Sequence, residues 1–523
     1  MKRMVLFIMV LAICVVSLVN AQYEPRNQYL NGTIFRDVTQ GSGFFHQGWG
    51  KCIAMGDWDK DGDLDIYVSV VYAPNKLFQN EGGLKFTDMS LIMGVDDIHD
   101  THGVVWADFD NNTYLDIFVA NNLEALTQKR GDTEQPNMLY MGFDEGFVET
   151  AVKAGVAGGP NYSAGVTTAD VNGDGLLDLY VSEGGYRSGM DCANSLYLNN
   201  GDGSFRDIGV AAGVADQGNG YCCSFTDYDN DGDPDLYVGN INDNADEPLT
   251  RVLYRNDGNG KFTNVTKELG MAGQGTNITC YWGDIDNDGD QDLFLANSAG
   301  PKYPDKKWSA NTLFRNNGNG TFTDISKQSG VDVQTNSRGC TMGDIDNDGD
   351  LDIIVTNSWM DALVFINDGT GKFTEEHTKT GGSWFYGHGL ALGDLDDDGD
   401  LDLLGGNWRR PSASNPGIWY LFENQTNNRN YLKVNLAGTT SNMSAVMSKV
   451  SVFDTGKAKQ KSALRGYREV IAGSGTFPGN PLQQHFGVDG SKKYDVVVVF
   501  PSGKEVVQKN VAAGQTIKIV EPK

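Results

Sequence analysis

Basic residues are scarce in this chain of 523 residues, which sets 41 lysines and arginines against 69 aspartates and glutamates for a formal net charge of −28. The basic residues are nowhere clustered densely enough to release counterions from a nucleic-acid backbone, so nucleic-acid binding is not expected. Long apolar runs are equally rare. The single one, Met4 to Val19, follows Lys2-Arg3 and precedes Val19-Asn20-Ala21 and Gln22, which is the layout of a secretory signal over residues 1–21. Isoleucine before Cys14 makes a poor lipidation site, so export with cleavage is expected. No other segment approaches the roughly 20 apolar residues needed to span a bilayer. Helical periodicity is sparse. Outside the acidic loops described next there are no paired carboxylates, nucleophile elbow or zinc signature, and no catalytic residue is assigned.

What the chain does have is glycine, 66 residues of it, and one acidic loop written seven times. The loops start at Asp57, Asp108, Asp170, Asp227, Asp284, Asp344 and Asp394, 50 to 62 residues apart, and hold 32 of the 69 acidic residues. Five of them place aspartate at positions 1, 3, 5, 7 and 9. These are Asp57, Asp59, Asp61, Asp63 and Asp65; Asp227, Asp229, Asp231, Asp233 and Asp235; Asp284, Asp286, Asp288, Asp290 and Asp292; Asp344, Asp346, Asp348, Asp350 and Asp352; and Asp394, Asp396, Asp398, Asp400 and Asp402.

The third loop offers Asp170, Asn172, Asp174 and Asp178. The second offers Asp108, Asp110, Asn112 and Asp116 but has Thr113 where the others have the turn glycine. Alternate carboxylates around a glycine are what a hard divalent cation needs from a short loop, because it takes six to eight oxygens at about 2.3–2.6 Å. An EF-hand would need a glutamate at position 12 and flanking helices. Here position 12 of the first loop is Val68, the late acid is at position 9, and the flanks are β-branched and aromatic. The loops are therefore read as strand–loop–strand calcium sites, five to seven ions in all, with the second holding its ion weakly or not at all.

The repeat also fixes a fold. Each unit reads as a strand into the loop, a strand out, a third such as Leu253-Tyr254-Arg255-Asn256, a glycine turn and a fourth such as Lys261-Phe262-Thr263. The strand entering each loop alternates larger residues (Met55, Trp106, Phe225, Trp282, Met342, Leu392) with a small one directly ahead of the loop (Gly56, Ala107, Thr226, Gly283, Gly343, Gly393), as interlocking inner strands require. The seventh unit lacks its fourth strand, and Phe35-Arg36-Asp37-Val38-Thr39 supplies one from the front of the chain. Such a phase shift closes a ring and leaves no open edge. The expected architecture is all-β: a seven-bladed β-propeller over residues 22–427 closed by its N-terminal strand, then a small C-terminal β-rich domain over 428–523.

These units resemble FG-GAP/VCBS repeats of the integrin α-subunit type. The tail resembles the ASPIC/UnbV domain, from Tyr431-Leu432-Lys433-Val434 through Arg465-Gly466-Tyr467-Arg468-Glu469-Val470 and His485-Phe486-Gly487-Val488 to Phe500-Pro501-Ser502-Gly503 and Ile517-Lys518-Ile519. Together they are similar to the cartilage acidic protein family of secreted proteins. The resemblance implies extracellular calcium binding and a role in adhesion or matrix recognition.

The residues just upstream of each inner strand should ring the channel mouth: Trp49, Lys51, His99, His102, Tyr162, Tyr221, Arg338, Trp384, Tyr386 and His388. Aromatic, imidazole and cationic groups so placed either recognise an extracellular glycan or protein, by stacking on sugar faces or clamping a carboxylate, or plug the channel. A third reading makes His99, His102 and His388 transition-metal ligands. Two functions follow: a secreted recognition and adhesion module, or a polysaccharide lyase-like enzyme with a histidine or tyrosine base and Arg338 neutralising a uronate. The six cysteines beyond the signal, Cys52, Cys192, Cys222, Cys223, Cys280 and Cys340, are equally compatible with disulfides and with small buried residues. Sequons stand at Asn31, Asn111, Asn161, Asn264, Asn277, Asn319, Asn424 and Asn442.

Overall fold

The computed structural model describes residues 33–44, 48–71, 73–122, 135–158, 162–184, 193–241, 251–273, 275–298, 309–358, 360–381, 387–407 and 419–523. The signal segment 1–21, Trp384, Tyr386, Cys14, Cys192, Asn31 and Asn161 lie outside them.

Seven four-stranded antiparallel sheets carry the repeats. Their innermost strands are Trp49–Gly56, Thr101–Ala107, Ser163–Ala169, Gly220–Thr226, Asn277–Gly283, Ser337–Gly343 and Gly387–Gly393, and each touches the next in that order, the last returning to the first. Every one of these strands slips register near its start, between Gly50 and Ile53 in the first and between Gly387 and Leu390 in the last. Such bulges add the twist a narrow axis demands. The closing strand is the one read from the sequence: Phe35–Asp37 pairs antiparallel with Tyr420–Asn424, Phe35 opposite Asn424.

Small-against-large packing at the seams is literal. A β-carbon built on Gly56 would lie 2.8 Å from Leu115 of the next blade, one on Gly283 2.8 Å from Leu351 and Met342, one on Gly343 2.7 Å from Leu392, and one on Gly393 2.8 Å from Met55. At these positions any side chain would wedge two blades apart.

The C-terminal segment forms two sheets face to face. One is Gln484–Gly487, Tyr431–Ala437 and Gln515–Val520; the other is Leu464–Glu469, Lys449–Asp454, Lys493–Val499 and Glu505–Ala512. Leu432 and Val434 from the first meet Val450, Val452, Val496 and Val498 from the second, with Phe500 buried among them.

Between two of these strands the chain leaves the small domain and enters the propeller axis. Thr168 donates its amide to the Ala472 carbonyl (3.1 Å), Gly475 to Cys223 (2.9 Å), Ile53 to Phe477 (3.3 Å) and Met55 to Gly479 (3.1 Å). Thr476 Oγ1 donates to the Ile278 carbonyl at 3.0 Å, and the Asn480 side-chain oxygen accepts from Thr341 Oγ1 and the Leu392 amide, both at 3.0 Å. Six of the seven inner strands thus hold one nine-residue plug. Only glycine fits its closest approaches: a β-carbon on Gly473 would stand 2.4 Å from the Val166 carbonyl oxygen and one on Gly479 2.3 Å from that of Ile53.

Five of the six cysteines beyond the signal are described, and all five are buried free thiols. They sit on inner strands as small apolar residues. Among the described residues no helix is long and apolar enough to cross a membrane.

Candidate metal centres and the channel mouth

Each acidic loop is pinned by its first and ninth residues. In the fifth, Asp284 accepts the amides of Asp288 (3.0 Å) and Gly289 (2.9 Å), while Asp292 accepts those of Ile285 (3.0 Å) and Asn316 (2.7 Å). The fourth, sixth and seventh loops repeat the first-residue pair through Asp227, Asp344 and Asp394. The carboxylates at positions 1 and 3 converge, joined by position 5 or position 9. Groups of at least three acidic oxygens lie within 4.8 Å of one another at Asp57, Asp59 and Asp61; at Asp108, Asp110 and Asp116; at Asp227, Asp229 and Asp235; at Asp284, Asp286 and Asp292; and at Asp344, Asp346 and Asp348.

Two features show that these groups fit a cation. The buried oxygens Asp57 Oδ1, Asp286 Oδ1, Asp346 Oδ1 and Asp396 Oδ1 have no hydrogen-bond donor from the protein, although buried carboxylate oxygens are ordinarily satisfied. Burial, and then repulsion from Asp61 and Asp59, pushes the Asp57 carboxyl up to about 6. Burial with Asp398 and Asp394 pushes Asp396 up to about 7, and burial chiefly lifts Asp65 and Asp116 to about 8. Clusters held this close resist ionising together unless a positive charge joins them. A hard, oxygen-seeking divalent ion is the cation this all-oxygen donor set suits.

The fourth position of every loop is left-handed, a requirement the sequence reading missed. It is met by Lys60 (φ 63°), Asn111 (57°), Gly173 (75°), Asn230 (62°), Asn287 (54°), Asn347 (58°) and Asp397 (61°). Asparagine and glycine tolerate that region best, and their recurrence there is the signal that was available. The second loop keeps the common arrangement without its glycine: Thr113 adopts φ 78°, and Asp108 accepts the Asn112 and Thr113 amides at 3.0 and 2.8 Å.

A second set of residues went unread. The asparagine ending the third strand of a blade donates its side-chain amide to the carbonyl at loop position 2 of the preceding blade. Asn80 reaches Leu395 (2.8 Å), Asn199 reaches Phe109 (2.8 Å), Asn256 reaches Val171 (3.0 Å), Asn316 reaches Tyr228 (2.8 Å), Asn367 reaches Ile285 (2.8 Å) and Asn424 reaches Ile345 (2.8 Å). The second blade has Gly142 instead, where a β-carbon would stand 2.2 Å from the Leu115 carbonyl oxygen. This role removes Asn424 from the accessible sequons; Asn277 and Asn442 are buried too, while Asn264 and Asn319 are exposed and Asn111 half-buried.

The C-terminal domain covers the loop face. Lys433 Nζ donates to Asp394 Oδ2 at 2.5 Å and also to Asp397, and Lys449 Nζ donates to Asp227 Oδ2 (2.6 Å) and Asn230 (2.7 Å). Gly487 gives its amide to Asp344 Oδ2 at 2.8 Å, His485 Nε2 lies 3.0 Å from the Gly399 carbonyl, and Glu469 accepts the Thr226 hydroxyl at 2.8 Å.

At the opposite face the residues expected around the mouth are largely packed together. Trp49, Lys51, His102, Tyr162, Tyr221 and His388 are buried, and His99 and Arg338 are partly exposed. Lys51 donates to Asp100 at 2.8 Å and touches His102. The rings of His388 and Tyr221 meet Phe477 of the plug at 5.0 and 6.0 Å, and burial holds the His388 imidazole well below its usual range, hence neutral. His99 pairs with Asp97 at 2.5 Å, and Arg338 Nε donates to Ser358 at 2.6 Å.

Against known families, the FG-GAP-like repeat matches residues 57–119, 182–238, 242–295, 284–355 and 344–405, more than half of the chain, and the ASPIC and UnbV family matches 438–523. Cartilage acidic protein 1 of Xenopus tropicalis is 25% identical over 276 residues, 49% of this chain and 40% of that one; its Homo sapiens counterpart is 27% identical over 259 residues, 47% and 36%. The match thus spans well under half the length of these curated relatives. Among solved structures, BBS1N in complex with ARL6DN, soaked with mercury, aligns with a TM-score of 0.44 at 8% identity, covering 76% of this chain and 98% of that one, and YCF48 from Cyanidioschyzon merolae with 0.42 at 8%, covering 75% and 98%.

Proposed function

Because the chain belongs to the FG-GAP-like repeat family, we propose that it is a secreted calcium-binding propeller that serves extracellular recognition and adhesion. The observation that carries the reading is the set of acidic clusters with buried, undonated carboxylate oxygens repeated around one ring. Asp57, Asp59 and Asp61, and their counterparts in the other loops, would hold the ions; calcium supplies the charge that lets those carboxylates stay ionised in a buried setting. Such ions cross-brace the loops and leave a rigid platform.

Recognition is assigned to the mouth-side face, since the C-terminal domain occupies the loop face. A glycan or protein ligand there meets the partly exposed His99 and Arg338 first, and Arg338 suits a carboxylate. The mouth histidines are buried, His388 against Phe477 of the plug and His102 against Tyr221, which favours recognition over lyase chemistry. The test is a screen of acidic glycans and matrix proteins against the purified chain with calcium and with chelator. Binding that needs calcium and falls on Arg338→Ala supports the reading; turnover of a polysaccharide, with new unsaturated ends, replaces it with the enzymatic one.

A further inference from the structure

The seven loops share one backbone plan, but the cations around them differ: the Arg468 guanidinium of the C-terminal domain acts on Asp284 and Asp344 of the fifth and sixth loops through space, whereas the fourth and seventh loops are met directly. Two lysines of the C-terminal domain end on first-position carboxylates: Lys433 on Asp394 of the seventh loop and Lys449 on Asp227 of the fourth. The Lys433 pair is sealed, its side chains 2% and 0% exposed, and the Lys449 pair nearly so at 17% and 3%. Among the described residues the first loop has no such lysine on Asp57. Its own Lys60 ammonium is turned away, donating to Thr113 at 2.7 Å and standing over the Tyr114 ring. The fifth loop has Lys461, exposed and 3.8 Å from Asp288.

We propose that Lys433 and Lys449 weaken the ion affinity of the seventh and fourth loops relative to the first, whose own lysine points elsewhere. The inference rests on the calcium reading above. An ion held by Asp394 at ordinary ligand distance lies within about 5–6 Å of the Lys433 ammonium, across a single carboxylate. Two positive charges that close, with water excluded from one of them, repel strongly because little dielectric screening reaches a buried pair. The carboxylate's outer oxygen is already shared between the lysine and the Gly399 amide at 2.9 Å, so less of its charge is left for the metal. The seventh loop still offers a metal a ligand atom, since Asp396 Oδ1 is buried without a donor from the protein. Linkage makes the effect reciprocal: an ion in the seventh loop loosens the grip of Lys433, and the docked lysine lowers the affinity of the loop by the same factor.

The experiment is calorimetric titration of the full chain with calcium alone, after chelation and at fixed ionic strength. Wild type should show sites of unequal affinity, the fourth and seventh loops among the weaker. Lys433→Met and Lys449→Met keep the apolar stems and should each tighten one weak site by about tenfold or more. Lys461→Met should shift no site by more than about twofold, its charge being solvent-screened. In an Asp396→Ala background the gain from Lys433→Met should vanish, which assigns it to the seventh loop. Unchanged or weakened affinity in both lysine variants overturns the inference while leaving calcium binding intact; no calcium uptake by wild type overturns the calcium reading itself. Should Lys433→Met fail to fold, as judged by its melting curve in chelator, Lys449→Met carries the test alone.

Discussion

The side-chain amide of Asn80 donates to the carbonyl of Leu395, 2.8 Å away across the seam where the first blade meets the last. The same amide also donates to Leu64 at 3.1 Å, and its oxygen accepts from Gly82 at 3.0 Å, so one buried residue joins two blades and orders the turn between two strands. Asn80→Ala orphans two buried carbonyls, and each such loss costs about 1–3 kcal/mol. Denaturation of the variant should show a drop of that order or more. Substitution of the exposed Asn319, which donates to no other blade, should leave the transition within about 0.5 kcal/mol of wild type.

Metal removal should be the largest single perturbation. The folded loops gather carboxylates that the unfolded chain disperses, so ligand linkage gives about 2.7 kcal/mol per site when free calcium is a hundred times the dissociation constant. Chelator should lower the melting temperature, and re-added calcium should restore it. Asp286→Ala, in a loop with five aspartates, should remove more of the calcium-dependent shift than Asp110→Ala in the loop with fewer charges. Equal losses would show that the backbone plan shared by the second loop, not its charge, decides binding.

The parts of the molecule legible in the sequence are those written locally. Aspartates two apart around a glycine specify a loop whatever the rest of the chain does, and Phe35-Arg36-Asp37 could be assigned to the last blade because Tyr420–Asn424 ended without a partner. The channel mouth was not legible in the same way. Lys51, His102 and His388 were read as standing just upstream of the inner strands, yet they lie within them, and His388 packs on Phe477, which arrives from a non-repeating segment more than 80 residues beyond the last inner strand. Periodicity carries no information about such an insertion. The Gly473, Gly475 and Gly479 spacing was its one trace, and glycine is too common in this chain for three more to stand out. The lysine contacts were hidden for a related reason: Lys433 and Lys449 sit in strands of ordinary composition, and only docking brings them to Asp394 and Asp227.

The plug makes a separate prediction about how the two domains cohere. Phe477 is fully buried between Tyr221 and His388, and truncating such a ring to alanine costs about 3–5 kcal/mol. Gly475→Val acts differently, because a β-carbon there stands 2.6 Å from Thr279 and forces the segment outward. Both variants should make the segment around residues 470–483 open to limited proteolysis under conditions where wild type resists, with Gly475→Val the more severe. Resistance equal to wild type in both would mean that the contacts on the loop face, from Lys433, Lys449, Gly487, His485 and Glu469, hold the C-terminal domain in place without the plug.

Acid should weaken the C-terminal domain through Glu521. Its buried carboxylate accepts the amides of Thr439 (2.7 Å), Thr440 (2.7 Å) and Ser441 (2.9 Å), the Ser441 hydroxyl at 3.0 Å and the Ser502 hydroxyl. Burial works to raise the carboxyl, but these donors outweigh it and bring it down from 4.5 to about 2. A carboxyl lowered on folding lends stability that is complete above its unfolded value and lost as pH falls from 4.5 towards 2. The acidic loops titrate in the opposite sense and would mask this in wild type alone, so the difference from Glu521→Gln is the quantity to measure. That difference should hold steady above pH 5, shrink below pH 4.5 and vanish near pH 2, following denaturation of the chain at each pH in chelator. A difference that persisted undiminished at pH 2 would mean that Glu521 acts by shape and neutral hydrogen bonding, and that its charge contributes nothing to the fold.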